Sequence, residues 1–300
     1  MTYHKSVLLK ECINGLNIKP NGIYVDVTFG GGGHSKEILK YLSEGKLFAF
    51  DMDYDTVKNI PSDVNFKLIQ TNYKNIKRFL KIEGVKKVDG ILADLGVSSH
   101  QLDIAGRGFS FRFDSALDMR MNQSSSLSAR EVLNEYSEED LSNLFFEYGD
   151  IKMSKKLARE IVSSRQKKEI ISTANLLTIL EGIVPHKRRN QFFSQVFQSI
   201  RIEVNNELES LKKMLTDGVD MLNVGGRFVV LSYHSLEDRL VKNLFKRGHF
   251  SGEIETDFFG NVYKKMKEVN RKVIIASDKE KKANNRSRSA KLRIAEKLEC

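Results

Sequence analysis

The sequence predicts an α/β protein, a mostly parallel sheet with helices between its strands and an all-helical segment inserted into it. Three observations predict this. Short apolar runs alternate with helically spaced segments up to Leu95, the rhythm of a parallel sheet. From about Ala105 the strand-like runs stop, and they resume only at Arg227. Between the first strand and the first helix stands Gly30-Gly31-Gly32-Gly33, a turn that needs backbone freedom or close approach to another molecule.

The first strand is the apolar run Tyr24-Val25-Asp26-Val27. In a dinucleotide fold the glycine loop carries a pyrophosphate, beside which the Asp26 carboxylate would be unfavourable. A sulfonium cofactor bearing an ammonium group is attracted by the same charge, so the loop points to S-adenosylmethionine. Helical spacing over Lys36–Leu42 leads to a second strand, Lys46–Phe50, which ends in Asp51. Asp51 follows the loop at the interval where α/β cofactor folds place a ribose-binding acid, while Asp53 and Asp55 are free to cap the next helix. A third strand over Phe66–Ile69 precedes Tyr73. A fourth, Val88–Ala93, delivers Asp94 to the carboxyl edge, where open sheets bind ligands.

These features divide the chain into residues 1–104 (first part of the α/β domain), 105–205 (inserted helical, substrate-recognition domain) and 206–300 (second part, with a basic C-terminal segment). Within the insertion, Ser128-Ala129-Arg130-Glu131 and Ser137-Glu138-Glu139-Asp140 read as helix starts. A long helical pattern runs from near Gln195 through Glu203 to Leu222. Gly225-Gly226 then turns the chain into the strand Arg227–Ser232. In the following Tyr233-His234-Ser235-Leu236-Glu237-Asp238, Ser235 and Asp238 fit a capping box, leaving Tyr233 and His234 to face a substrate. Ser98, Ser99, His100 and Asp103 do not make a hydrolase, because the nucleophile elbow is absent and triads are assembled from distant segments.

Composition narrows the partner. Forty-nine Lys and Arg against 39 Asp and Glu give a formal charge of +10, suited to a polyanion. Arg107-Gly108-Phe109-Ser110-Phe111-Arg112-Phe113 interleaves cations with rings that could stack on bases. Lys155, Lys156, Arg159, Arg165, Lys167, Lys168 and Lys187-Arg188-Arg189 make the insertion the better phosphate-binding candidate. Cys12 and Cys300 alone can build neither a disulfide framework nor a cysteine zinc site; no metal is expected, and the reading is a cytoplasmic protein without a membrane segment.

With these residues assembled, the chain resembles the bacterial RsmH (MraW) family of S-adenosylmethionine-dependent 16S rRNA cytosine-N4 methyltransferases. The resemblance rests on Tyr3–Glu11, Gly32-Gly33-His34-Ser35, Asp94–Asp103, Arg107–Phe111, Leu117–Met121, Val196–Asn205, Ser232–Arg239 and Arg286–Arg293. It implies a Rossmann-like class I methyltransferase domain, with cofactor contacts from Gly32, Gly33, His34, Asp51, Tyr73, Asp94 and Gln101. Tyr73 stands where the family often has phenylalanine. Ser6, His100, Val273, Ala276 and Asn285 stand where it commonly has proline, which implies less rigid motif loops.

The implied reaction is methylation of a cytidine N4 in the decoding (P-site) region, with 16S rRNA or the small ribosomal subunit as partner; homodimerisation is left open. The sulfonium is already a strong electrophile, so the protein's task is alignment of a flipped base. Ser98, Ser99, Tyr233 and His234 are the catalytic candidates, as acceptors for the amino hydrogens. Two rivals stand beside this reading. A nicotinamide-dependent oxidoreductase shares the strand, loop and acid but is disfavoured by Asp26 and by the missing third fingerprint glycine. A non-catalytic basic RNA-binding protein would need no acid-lined loop.

Overall fold

The computed structural model describes residues 6–254, 256, 258, 264–270 and 272–299, in two compact units. One comprises residues 1–96 and 208–300, the other 97–207. Tyr3-His4-Lys5 of the first resemblance motif and Cys300 lie outside the described residues.

The first unit is built on strands β1 (Ile23–Asp26), β2 (Lys46–Asp51), β3 (Phe66–Gln70), β4 (Val88–Asp94), β5 (Leu222–Ser232), β6 (Met266–Glu268), β7 (Ile274–Ile275) and β8 (Lys291–Lys297). Their order is β3-β2-β1-β4-β5-β8-β6, with β7 also on β8. β1 to β5 run parallel, and β8 is antiparallel to β5. The order reverses between β1 and β4, the crevice where doubly wound sheets bind ligands.

Alternation along the strands covers both faces. Val25, Ile91, Phe228 and Val230 enter one core with Leu211, Met214 and Leu215 of helix α10 (Glu207–Met221) and Phe245 of α11 (Ser235–Arg247). Tyr24, Leu92, Val229 and Leu231 enter the other with Cys12 and Leu16 of α1 (Leu9–Leu16) and Ile38 of α2 (Gly33–Leu39). Double coverage is why these strands read as unbroken apolar runs. α3 (Ile76–Ile82) and α12 (Asp278–Ala283) complete the unit.

The second unit is all helical: α4 (Ser99–Asp103), α5 (Ala129–Glu135), α6 (Glu138–Gly149), α7 (Ser154–Lys167), α8 (Thr173–Glu181) and α9 (Arg189–Asn205). Its core includes Phe145, Leu157, Ile161, Leu176, Val196 and Ile200, and Phe111 meets Phe193 and Phe197 edge-on. Phe111 is therefore a packing residue rather than a free stacking platform. Ser128 and Glu131 form the expected capping box on α5, and Ser137 caps α6.

Three boundaries differ from the sequence expectation. The helical unit spans 97–207 rather than 105–205, because Gly96, at φ +84°, turns the chain and Ser98 starts a helix at once. The long helix toward Leu222 is two helices, broken at Asn206 in the left-handed region (φ 47°). β5 starts at Leu222, with Gly225-Gly226 inside it, where the register against β4 shifts between the pairs Val88–Leu222 and Gly90–Arg227. Gly225, at φ +76°, absorbs that bulge. Among the described residues no helix is long and apolar enough to cross a membrane.

Candidate active site

The glycine loop is held from beneath by carboxylates. Asp26, the last residue of β1, is 1% exposed; it accepts from the Ser35 hydroxyl at 2.7 Å and the Thr28 amide at 3.1 Å. Burial raises its pKa, with His34, Ser35 and Thr28 opposing. The sequence reading gave Asp26 a cation to attract. In the structure its oxygens anchor the loop to α2, so the charge stays beside the loop while its hydrogen bonds are made within the chain.

Gly32 takes φ +73°, a conformation that a side chain would strain. At Gly33 an added Cβ would collide with the Ser6 hydroxyl, whereas at Gly31 it would meet nothing within 4 Å. Gly31 is thus where the loop backbone stands open to a ligand. Gly32 and Gly33 shape the turn and seat it against the segment before α1.

Asp51, at the end of β2, accepts from the Gly30 amide at 2.8 Å through one oxygen and from the Asp53 amide at 2.9 Å through the other. Each oxygen keeps a lone pair for a further donor. Burial pushes its pKa up to about 6, against the hydrogen bonds from Asp53 and Gly30. Capping falls to Asp53, which accepts from the Asp55 amide at 3.1 Å. Tyr73 sits half-buried on a short 3₁₀ turn after β3 and packs on the sheet core.

Asp94 ends β4 at the switch point. Its Oδ1 accepts from the Tyr233 hydroxyl at 2.6 Å, its Oδ2 lies 3.7 Å from His34 Nδ1, and its amide donates to the Thr28 hydroxyl at 2.6 Å. Burial, then the Asp94 charge, pushes the Tyr233 phenol well above its usual range, so it stays a donor. The Arg286 guanidinium stands over the Tyr233 ring at 5.5 Å. His34 is buried, with Nε2 3.1 Å from the Val7 carbonyl. That bond fixes the ring, leaving its other nitrogen toward Asp94.

His234 takes the N-cap position of α11, and Ser235, expected to start the cap, is already helical. The Glu237 carboxylate reaches back to the Tyr233 amide at 2.8 Å and stands 3.1 Å from His234 Nε2. Asp238, expected to share the cap with Ser235, instead holds Arg293 at 2.7 Å and Lys291 at 3.2 Å.

The remaining candidates belong to the helical unit. Ser98 accepts from the Gln101 amide at 3.2 Å while the Gln101 side chain accepts from the Ser98 amide at 3.0 Å, a reciprocal cap on α4. Ser99 opens that helix; its side chain lies outside the described residues. The structure thus brings Gly32, Gly33, His34, Asp51, Asp94 and Tyr233 to one edge of one sheet. Thr28 and Glu237 were missed. Their signal was position alone, Thr28 between Asp26 and the glycines, Glu237 three residues after the cap.

Comparison with known proteins follows the same outline. The MraW methylase family model matches residues 1–298. A protein named ribosomal RNA small subunit methyltransferase H from Flavobacterium johnsoniae is 55% identical over 299 residues, covering 99% of each chain. One of the same name from Bacteroides thetaiotaomicron is 51% identical over 298 residues, covering 99% of this chain and 98% of its own. Among solved structures, a putative rRNA-methylase from Clostridium thermocellum aligns at 12% identity with a TM-score of 0.46, covering 99% of this chain and 100% of that one. With the family model spanning the chain almost end to end and relatives at this identity, the chain belongs to the MraW methylase family.

Proposed function

We propose that this chain methylates the exocyclic N4 of a cytidine in the decoding, P-site region of 16S rRNA. The methyl donor is S-adenosylmethionine, and the enzyme is an rRNA methyltransferase. The observation that carries the reading is an acid-lined glycine loop in a chain matched by a methylase family over residues 1–298. The residues fit that cofactor. Gly31 leaves room for close approach, Asp51 keeps lone pairs for ribose hydroxyls, and Asp26 and Asp94 put negative charge where a cation is to be held.

When bound, the cofactor supplies a methyl carbon on positive sulfur, so that attack by N4 forms the nitrogen–carbon bond as the carbon–sulfur bond breaks. The chain's own residues supply alignment. Asp94, with one oxygen fixed by Tyr233, presents the other as a directed acceptor. Tyr233 is held in place by that bond, by Arg286 over its ring and by Glu237 on its amide. Tyr233, His234, Ser98 and Ser99 are the candidates for the amino hydrogens; Tyr233 leads them, since its hydroxyl is fixed on Asp94, whereas Ser98 is paired with Gln101. Gly32, Gly33, His34, Tyr73 and Gln101 are proposed cofactor contacts.

The test is transfer of labelled methyl from S-adenosylmethionine to purified 16S rRNA and small subunits, with calorimetric titration of S-adenosylmethionine against NAD. Label in N4-methylcytidine and binding of the sulfonium alone are expected. Binding of NAD in its place, or no transfer to either substrate, would sink the reading.

A further inference from the structure

At the opposite edge of the sheet from the glycine loop, where β4 and β5 begin, lies an open hollow of about 570 Å³. Four lysines line it: Lys77 from α3, Lys87 ahead of β4, Lys265 ahead of β6, and Lys297 at the end of β8. One acid, Asp220 of α10, stands among them. Its carboxylate meets Lys77 at 3.0 Å and Lys265 at 3.2 Å, and its carbonyl accepts from Lys87 at 2.6 Å. Burial pushes the Asp220 carboxyl up, but the bonds from Lys77 and Lys265 outweigh it and hold the carboxyl below its usual range. Lys77, Lys87 and Lys265 against the one Asp220 carboxylate leave a net charge of +2 around that residue. Asp89, beside Asn223, has its oxygens occupied by the Ile23 amide and the Asn223 side chain.

A structural ion pair would be complete with one or two of these lysines. Three ammonium groups from separate parts of the chain converging on one residue repel one another. An anion relieves that repulsion. Among the described residues the lining holds no aromatic ring on which a base could stack, its apolar part being Leu222, Val224 and Leu298. It therefore suits phosphate rather than nucleobase. It is also open, as suits a strand passing over it rather than an enclosed small molecule.

We infer that this hollow docks a backbone phosphate of the RNA substrate, remote from the methyl-transfer edge. The inference rests on the rRNA reading above. The seven residues of β4 separate the two edges, roughly 20 Å at strand rise, so the phosphate belongs to a different part of the folded RNA from the target nucleotide.

The test pairs K87E/K265E, both exposed positions, with the control K242E/K246E on the exposed surface of α11, which changes net charge equally. RNA affinity of K87E/K265E should fall about tenfold, and its salt dependence should become shallower by about one to two in slope. Affinity for S-adenosylmethionine and the single-turnover rate at saturating RNA should stay unchanged. Equal weakening of both double variants, or unchanged affinity and slope in K87E/K265E, would overturn the proposal. So would saturable binding of inorganic tripolyphosphate that K87E/K265E abolishes while RNA affinity stays intact, since that marks a free-polyphosphate site. If the glutamates prevent folding, K265Q reads the same slope with a smaller loss. Failure of the rRNA reading itself looks different: the wild-type chain then transfers no label to rRNA, whereas failure of the hollow leaves that transfer intact.

Discussion

The α/β unit and the helical unit treat polar groups in opposite ways. At the ligand edge of the α/β unit, acids are buried or half-buried and held by named donors: Asp26 by Ser35 and Thr28, Asp51 by Gly30 and Asp53, Asp94 by Tyr233. In the helical unit, Lys152, Lys155, Lys156 and Arg159 lie exposed along and before α7, while its less exposed cations tie down backbone, as Arg165 does with the Leu133 and Tyr136 carbonyls. Hydrogen-bonded acids at this edge are pre-organised, and burial raises the pKa of Asp26 and Asp51, the condition for chemistry. Exposed cations are strongly screened and add up over many contacts, the condition for gripping a polyanion.

Breaking the buried side should cost most. Asp94→Asn removes the charge that Tyr233 and His34 face, and kcat/KM for methyl transfer should fall about 100-fold or more, read in single turnover. Asp51→Asn should weaken S-adenosylmethionine binding about 10- to 100-fold, the value of a charge-assisted hydrogen bond. Because the Asp51 carboxyl is raised to about 6, wild-type cofactor affinity should decline as pH falls through that value, and Asp51→Asn should flatten the decline. The same shift means that the folded chain binds this proton more tightly than the unfolded one. Its contribution to stability is full below the ordinary value of 3.8 and is lost as pH rises through about 6, which denaturation of wild type and Asp51→Asn at several pH values would show.

On the exposed side, Lys155→Glu/Lys156→Glu/Arg159→Glu should raise KM for rRNA about tenfold and lower the salt slope by about one per lost phosphate contact. kcat should hold. Tyr233→Phe sharpens the comparison with the smallest change, one hydroxyl. It should cost about tenfold in rate with little change in cofactor affinity, and a loss of cofactor binding instead would move Tyr233 from substrate alignment to cofactor support.

Legibility in the sequence follows the same division. Strands buried on both faces print as apolar runs, so β1, β2 and β4 and the acids that end them could be read directly. The glycine loop was legible because Gly32 needs a positive φ. Caps were legible only by pattern, and pattern misplaced one: Ser235 and Asp238 fit a box, yet Glu237 reaches back and makes His234 the cap. The choice depended on Arg293 and Lys291, far away in sequence, drawing Asp238 aside. Asp26 shows the same limit. Its charge was visible, but its engagement by Ser35 was not, since that bond forms only once α2 folds back over the loop. Gly225 was read as a turn into β5 because a bulge inside a strand and a turn before it share the same residue.

The most direct measurement is nucleotide-resolution mapping of methyl groups on 16S rRNA from cells lacking this protein, before and after incubation of their small subunits with the protein and S-adenosylmethionine. One cytidine of the P-site region should gain a methyl group at N4, and Asp94→Asn should leave it unmodified. A methyl group placed on another base, another atom of the cytidine, or another RNA would contradict the account.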